Sequence, residues 1–290
     1  MPASHWSAWK PLPLTLAPAV LAETLDGGQS FRWRLDTDSS WIGLWGECMV
    51  KLTQAEDQTL RWSAPLALAA RVETELPRYL GLNNSFDQHF DQLPWRSDAH
   101  LAACLRAFPG LRILHQPFGE TLLGFLCSAT KQIVQIKQMV ALLAARHGVE
   151  ITPGFRRLPT WAELARVSEP ALRECLLGFR AGYIHRTARF LADHPGWLDA
   201  TEAAPYAEAK ERLCSLPGVG EKVADCVMLF GSGRLEAFPV DTWIIKTMAT
   251  RYGLTDWKPA QIAHFGRTHF GPLAGLAQQY LFAYERQSRP

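Results

Sequence analysis

The spacing of apolar and polar residues changes partway along this chain. Over residues 28–65, aromatic and β-branched residues gather in short runs at 29–34 and 41–49. The turn-forming Asp36-Thr37-Asp38-Ser39-Ser40 separates the two runs. With a further run at 58–62, the pattern predicts a small antiparallel sheet accompanied by one or two helices. The texture shifts near residue 80, and from His100 onward apolar residues recur at helical spacing. Leu122, Leu123, Phe125 and Leu126 mark one strongly apolar helix. Ile133, Ile136, Met139, Val140, Leu142 and Leu143 mark the next or its continuation. Thr160 followed by Glu163 predicts a capping box, and Ser168-Glu169-Pro170 predicts a helix with proline in its first turn. Gly178 and Gly182 are read as bracketing a break. A helix over 206–214 is expected to end at Leu216-Pro217-Gly218. The fold class is α+β, with an N-terminal sheet domain at 1–85 and a mostly helical region at 86–290.

Composition narrows the picture only slightly. The chain has 290 residues, 48% hydrophobic and 20% charged, with a formal net charge of +2. That describes a globular protein with ample core and does not announce a nucleic-acid binder. The distribution says more: residues 1–85 carry 7 Lys/Arg against 9 Asp/Glu, whereas residues 86–290 carry 23 against 19. Cys48, Cys104, Cys127, Cys175, Cys214 and Cys226 form no CxxC pair. They read as buried free thiols in a reducing compartment, which disfavours zinc and iron–sulfur sites. The apolar stretch 11–22 is interrupted by Pro11, Pro13 and Pro18. It is too short to span a membrane and makes a poor signal-peptide core. The expected location is intracellular: cytoplasm or nucleoid in a prokaryote, nucleus in a eukaryote.

Chemistry concentrates in Leu216-Pro217-Gly218-Val219-Gly220-Glu221-Lys222-Val223-Ala224-Asp225 and in the later Pro239-Val240-Asp241. Helix, LPGVG, helix is the helix–hairpin–helix pattern. Gly218 and Gly220 allow a tight turn and a close approach of backbone N–H groups to a phosphate. The second helix adds the positive end of its dipole. Such contacts grip DNA without reading its sequence. The carbonyls of Cys214, Leu216 and Val219 are a candidate site for a monovalent cation. A glycine-rich interhelical turn is the plain alternative.

Lys222 lies one turn into the second helix. Only about one free lysine in a thousand is neutral near pH 7.4. A nucleophilic lysine must therefore be partly desolvated or set near other positive charge. Val223, Cys226, Val227 and Leu229 supply an apolar wall. Asp241 reads as the N-cap of the helix opened by Thr242-Trp243-Ile244-Ile245, a role worth about 1 kcal/mol. The same carboxylate is suited to stabilising positive charge on a sugar, or to orienting the lysine. A solvated lysine and a simple cap are the competing structural readings.

Several further blocks, in order, resemble the 8-oxoguanine DNA glycosylase/AP lyase family of the helix–hairpin–helix superfamily. Gly28-Gln29-Ser30-Phe31-Arg32-Trp33-Arg34 is similar to the family's SGQSFRW strand, with Gly27 in place of the serine. Tyr79-Leu80-Gly81-Leu82 followed by Phe86-Asp87 resembles its domain junction. Gly178-Phe179-Arg180-Ala181-Gly182-Tyr183 resembles its GYRARY segment, and Ala277-Gln278-Gln279-Tyr280-Leu281-Phe282 its C-terminal helix. The resemblance implies a TATA-binding-protein-like N-terminal sheet. It also implies a bifunctional enzyme acting on duplex DNA containing oxidised guanine, as a monomer, with no redox cofactor or catalytic metal.

By the same resemblance Lys222 is the Schiff-base nucleophile and Asp241 the catalytic aspartate. Gly28 offers its carbonyl to N7–H of the oxidised base. Normal guanine has an acceptor at N7 and would meet that carbonyl with repulsion. Cys226 and Phe282 sandwich the flipped base, and Gln278 reads its Watson–Crick edge. Phe179, in place of a tyrosine, fills the vacated stack, and Arg180 contacts the opposite cytosine. Three further positions depart from the family. Thr130 replaces an asparagine that enters the duplex gap. Gln135 replaces an arginine that contacts the opposite cytosine. Trp243 stands where a phosphate-binding histidine is common. The missing asparagine and arginine lead to an expectation of relaxed opposite-base preference. Two other readings stay open at the level of sequence. One is an alkylated-base glycosylase of the same superfamily, which Lys222 argues against. The other is a non-catalytic helix–hairpin–helix DNA-binding protein. The absent C-terminal cysteine cluster excludes the iron–sulfur members.

Overall fold

The computed structural model describes residues 6–82 and 86–287. Its sheet is antiparallel and five-stranded, in the spatial order β1-β5-β4-β3-β2. The strands are β1 (Lys10–Thr15), β2 (Trp33–Leu35), β3 (Trp41–Trp45), β4 (Cys48–Gln54) and β5 (Thr59–Ser63). Strand β1 lies in the stretch read only as an interrupted apolar run. Its prolines are tolerated because β1 is an edge strand, paired on one side with β5. The predicted run 41–49 is a hairpin, turning at Gly46 (φ +49°) so that Trp45 faces Cys48. The predicted strand at 29–34 shortens to three residues, because residues 28–32 leave the sheet to meet the helical part of the chain.

Helix α1 (Pro18–Asp26) links β1 to β2, and α2 (Ala69–Tyr79) leads out of the sheet. Trp33, Trp45 and Tyr79 join the sheet to α2. The Trp45 and Tyr79 rings stack 4.2 Å apart, and Trp33 Nε1 donates to the Tyr79 hydroxyl at 2.9 Å. Gly43 makes room for this cluster: a Cβ there would fall 2.4 Å from the Trp33 ring.

The remaining helices are α3 (Phe86–Gln92), α4 (Ala99–Ala107), α5 (Phe118–Leu126) and α6 (Ile133–His147). A small hairpin of β6 (Glu150–Thr152) and β7 (Phe155–Arg156) follows. Then come α7 (Trp161–Leu164), α8 (Glu169–Leu172), α9 (Arg180–Asp193), α10 (Trp197–Ala203) and α11 (Tyr206–Cys214). The chain ends with α12 (Glu221–Ser232), α13 (Thr242–Tyr252), α14 (Pro259–Phe270) and α15 (Ala274–Gln287). Both predicted caps form. Thr160 Oγ1 accepts from Glu163 N at 3.2 Å while Glu163 Oε2 accepts from Thr160 N, and Ser168 caps α8. Gly182 differs from expectation. It lies inside α9, where a Cβ would press on Arg186 and Glu169 at 3.3–3.4 Å. The break is upstream, at Leu176 (φ +62°) and Gly178 (φ +56°).

Helix α5 sits at the centre of the molecule. Phe125 stacks on Phe230 of α12 at 5.6 Å, and Phe31 meets Phe125 edge-on at 5.2 Å. One buried amide fastens the residues before β2 to the segment before α5. Gln29 Nε2 donates to the Arg112 carbonyl at 2.8 Å, and Gln29 Oε1 accepts from Leu114 N at 2.9 Å. The Gln29 carbonyl accepts from Gln116 Nε2. Arg112 in turn donates to the carbonyls of Leu80 and Gly81. Asp26 pairs with Lys137 at 2.6 Å, and buried Glu23 pairs with Arg286. Sheet and helical residues thus share one continuous core. The expected boundary at residue 85 falls in 83–85, outside the described residues.

Replacing Gln29 by alanine leaves the Arg112 carbonyl and Leu114 N–H buried without these partners, at about 1–3 kcal/mol for each such group. Urea unfolding of Gln29→Ala is expected to show a stability loss of roughly 2–4 kcal/mol with an unchanged m-value.

Candidate active site

Helices α11 and α12 flank the hairpin. Val219 N donates to the Leu216 carbonyl at 3.1 Å, closing the turn. Gly218 has φ +79°, and a Cβ there would lie 2.3 Å from the Tyr183 ring, so both backbone angle and space demand glycine. Gly220 is exposed, with nothing within 4 Å of a Cβ, and caps α12 through its backbone alone. The free N–H groups at this end of α12 therefore face outward, as phosphate binding requires. The carbonyls of Cys214, Leu216 and Val219 are hard oxygen donors whose chemistry fits a monovalent cation.

The hairpin's two helices are held by a network around Asp225, which is 1% exposed. Asp225 accepts from Tyr206 at 2.6 Å and from Lys210 at 3.1 Å. Burial raises its pKa, opposed by the Lys210 charge. The sequence showed Asp225 in the motif without a role. Its position one turn beyond Lys222 on an apolar helix was the available signal.

Lys222 is half-buried. Its Nζ lies 5.1 Å from the centroid of the Phe125 ring and takes part in none of the ion pairs formed among the described residues. One helical turn on is Cys226, 3% exposed. Burial pushes the Cys226 thiol up to about 12, while Lys222 acts in the opposite direction, so the sulfur stays protonated at neutral pH. Asp241 caps α13, its Oδ1 accepting from Ile244 N at 2.8 Å. Burial raises the Asp241 pKa above the ordinary aspartate range. The Ile244 N–H and then the Lys222 charge oppose that rise, and the Trp243 N–H adds to them. The Lys222 charge thus acts on both the Cys226 thiol and the Asp241 carboxyl. Trp243 is half-buried on the first turn of α13.

The expected base-binding residues come from opposite ends of the chain. Gly28 (φ +108°) has Ile133 and Phe282 as neighbours, at 3.0 and 4.0 Å from a Cβ built on it. A side chain there would fill the space in front of the Phe282 ring. Gln278 lies one turn before Phe282 on α15 and is buried, its Oε1 accepting from Gln279 Nε2 at 2.8 Å.

Thr130 and Phe179 occupy two turns joined by Arg180. Thr130 is exposed with φ +56°, a conformation costing a β-branched residue about 1–2 kcal/mol. Arg180 is buried rather than presented to solvent. It donates to the carbonyls of Leu177 and Ala129 and, at 3.0 Å, to Thr130 Oγ1. Phe179 is 52% exposed and meets Tyr183 edge-on at 5.7 Å, so it stands beside the ring that supports Gly218. Gln135 is exposed, and its Oε1 accepts from Gln132 N at 3.2 Å in a capping box of α6.

A small sheet, a helical body and a hairpin followed by a half-buried lysine and an aspartate cap define the helix–hairpin–helix DNA glycosylase class. The fold also occurs in a 3-methyladenine DNA glycosylase from Archaeoglobus fulgidus, with TM-score 0.75, 19% identity and coverage of 97% and 99% of the two chains. Residues 11–122 match the 8-oxoguanine DNA glycosylase N-terminal domain family. The N-glycosylase/DNA lyase OGG1 of Arabidopsis thaliana is 32% identical over 96% of this chain and 80% of its own length. The Saccharomyces cerevisiae N-glycosylase/DNA lyase is 31% identical over 84% and 71%. The crystal structure of Clostridium acetobutylicum 8-oxoguanine glycosylase/lyase with double-stranded DNA containing cytosine opposite 8-oxoguanine aligns with TM-score 0.85. It has 31% identity and covers 92% of this chain and 91% of its own. The chain belongs to the 8-oxoguanine DNA glycosylase/lyase family.

The raised pKa of Asp241 has a kinetic consequence. If the carboxylate is the working form, base release is lost as pH falls through a value above that of a free aspartate. Single-turnover rates measured against pH are expected to show this acid limb, and Asp241→Asn is expected to remove it while slowing base release about 100-fold or more.

Proposed function

We propose that this protein removes 8-oxoguanine from duplex DNA and then nicks the strand by β-elimination. The observation that carries the reading is the placement of Lys222. Its amine lies on an aromatic face beside a buried thiol and the Asp241 carboxylate, directly after an outward-facing backbone hairpin. The oxidised base rotates into the space edged by Gly28, Phe282 and Gln278. The Gly28 carbonyl accepts its N7–H. Neutral Lys222 Nζ attacks C1′ as the C1′–N9 bond breaks, and the departing base carries the electron pair and takes up a proton. Asp241 stabilises the positive charge that develops on the sugar. The sugar ring opens to give an imine on Lys222. Loss of a C2′ proton then expels the 3′ phosphate. The hairpin N–H groups at Gly218 and Gly220, and Trp243, hold neighbouring phosphates. A monovalent cation on the Cys214, Leu216 and Val219 carbonyls would add positive charge there. A DNA-repair role places the protein with the genome inside the cell. Among the described residues, no helix is long and apolar enough to cross a membrane.

The same reading assigns the enzyme a relaxed preference for the base opposite the lesion. The Thr130 hydroxyl and the Arg180 guanidinium are engaged with each other, and Gln135 caps its own helix. Neither Thr130 nor Gln135 supplies the charged, forked donor of an arginine, so the set has less with which to single out cytosine.

Borohydride is expected to trap the protein covalently on 8-oxoguanine DNA. Lys222→Gln should abolish the trapped band while retaining DNA binding. A normal band from Lys222→Gln would move the nucleophile elsewhere. Excision opposite C, A, G and T is expected to vary by less than about tenfold, equivalent to ~1.4 kcal/mol. A larger preference for C would overturn the relaxed-pairing assignment.

A further inference from the structure

Five non-glycine residues among those described have left-handed backbone: Ser39, Gln58, Thr130, Leu176 and Asp256. Ser39, Gln58 and Asp256 are polar and unbranched at Cβ, and Thr130, though β-branched, has its hydroxyl held by Arg180. Leu176 is hydrophobic, has φ +62° and is 54% exposed. It therefore carries a steric penalty and leaves an apolar side chain in water.

The local geometry shows what that arrangement achieves. Cys175 and Leu177, on either side, are both fully buried. Regular helix could not bury both neighbours and still aim the middle residue squarely at solvent. The left-handed residue makes this possible, and Gly178 (φ +56°) then returns the chain to α9. Phe179, three residues on, is the next exposed apolar side chain, at 52%. The Leu177 carbonyl is held by Arg180, which also grips Ala129 and Thr130. Leu176 thus projects from a turn that Arg180 ties to the loop at Ala129 and Thr130.

We propose that Leu176 is a second wedge, inserted into the base stack beside Phe179 when the lesion is extruded. This rests on the assignment of the Phe179 turn to the DNA face. Apolar side chains inserted at a base step unstack and kink a duplex. Two wedges of different shape, aliphatic and aromatic, suit two neighbouring positions of one opened stack. A wedge that fills space rather than reading hydrogen bonds is also indifferent to the opposite base.

The test uses two substitutions compatible with left-handed backbone, Leu176→Gly and Leu176→Asn. Both remove the apolar projection and relieve the strain, so the melting temperature should stay level or rise. Single-turnover excision from a fully paired duplex is expected to fall about tenfold or more. Excision of 8-oxoguanine from an unpaired bubble should be unchanged, because no stack needs opening. Fluorescence of 2-aminopurine placed next to the lesion reports unstacking without requiring chemistry, and the variants should lose its increase. Excision from paired duplex at the wild-type rate, with the full 2-aminopurine increase, would overturn the proposal. So would equal losses on paired and bubble substrates. A wild-type protein that unstacks 2-aminopurine but leaves 8-oxoguanine in place would instead count against the proposed activity alone.

Discussion

The amine of Lys222 rests against an aromatic ring rather than in an ion pair, and much of the molecule is arranged to keep it there. A lysine in a salt bridge would have to break it before acting as a nucleophile. Nearby carboxylates are assigned elsewhere. Glu221 and Asp225 are engaged by Lys210, and Asp241 is tied down by the N–H groups opening α13. Lys210 thus takes up the acidic residues flanking Lys222 in sequence. Phe125, which forms the apolar surface below the amine, is fixed by Phe230 on one side and Phe31 on the other.

That last contact explains why residues before β2 matter to a site built mostly from α12 and α13. Gln29 anchors them through three hydrogen bonds to residues 112–116. On one side of the anchor Gly28 faces Phe282; on the other Phe31 packs on Phe125 and Gly124. A shift of this short segment would therefore move the Gly28 backbone and the support under the amine together. Side-chain amides suit such a task. They bond backbone donors and acceptors simultaneously without placing a charge in the core.

Much of this was legible in the sequence, for identifiable reasons. The hairpin, the Asp241 cap, the Thr160 box and the Tyr206–Cys214 helix depend on residues close together in the chain, and local chemistry decided them. Strand β1 was not legible, because prolines argue against a strand unless its edge position is known. The shortening of the strand before Trp33 was hidden as well. Gln29 looks like an ordinary strand residue until its partners 83–87 positions away are seen. Bracketing the break between Gly178 and Gly182 was the natural reading of two glycines, yet Gly182 is a packing position inside α9 and only Gly178 belongs to the break. The actual break falls on a leucine, where propensity points the wrong way.

Arg180 shows how the two strained turns coexist. A left-handed non-glycine residue costs about 1–2 kcal/mol, and Thr130 and Leu176 each carry such a conformation. A hydrogen bond from a charged group returns roughly 1.5–3 kcal/mol. Arg180 makes such bonds to Leu177, beside Leu176, and to Ala129 and Thr130. Burial offsets part of that gain, and it also lowers the pKa of the guanidinium. The bonds from one guanidinium thus offset the strain of both turns and tie them together.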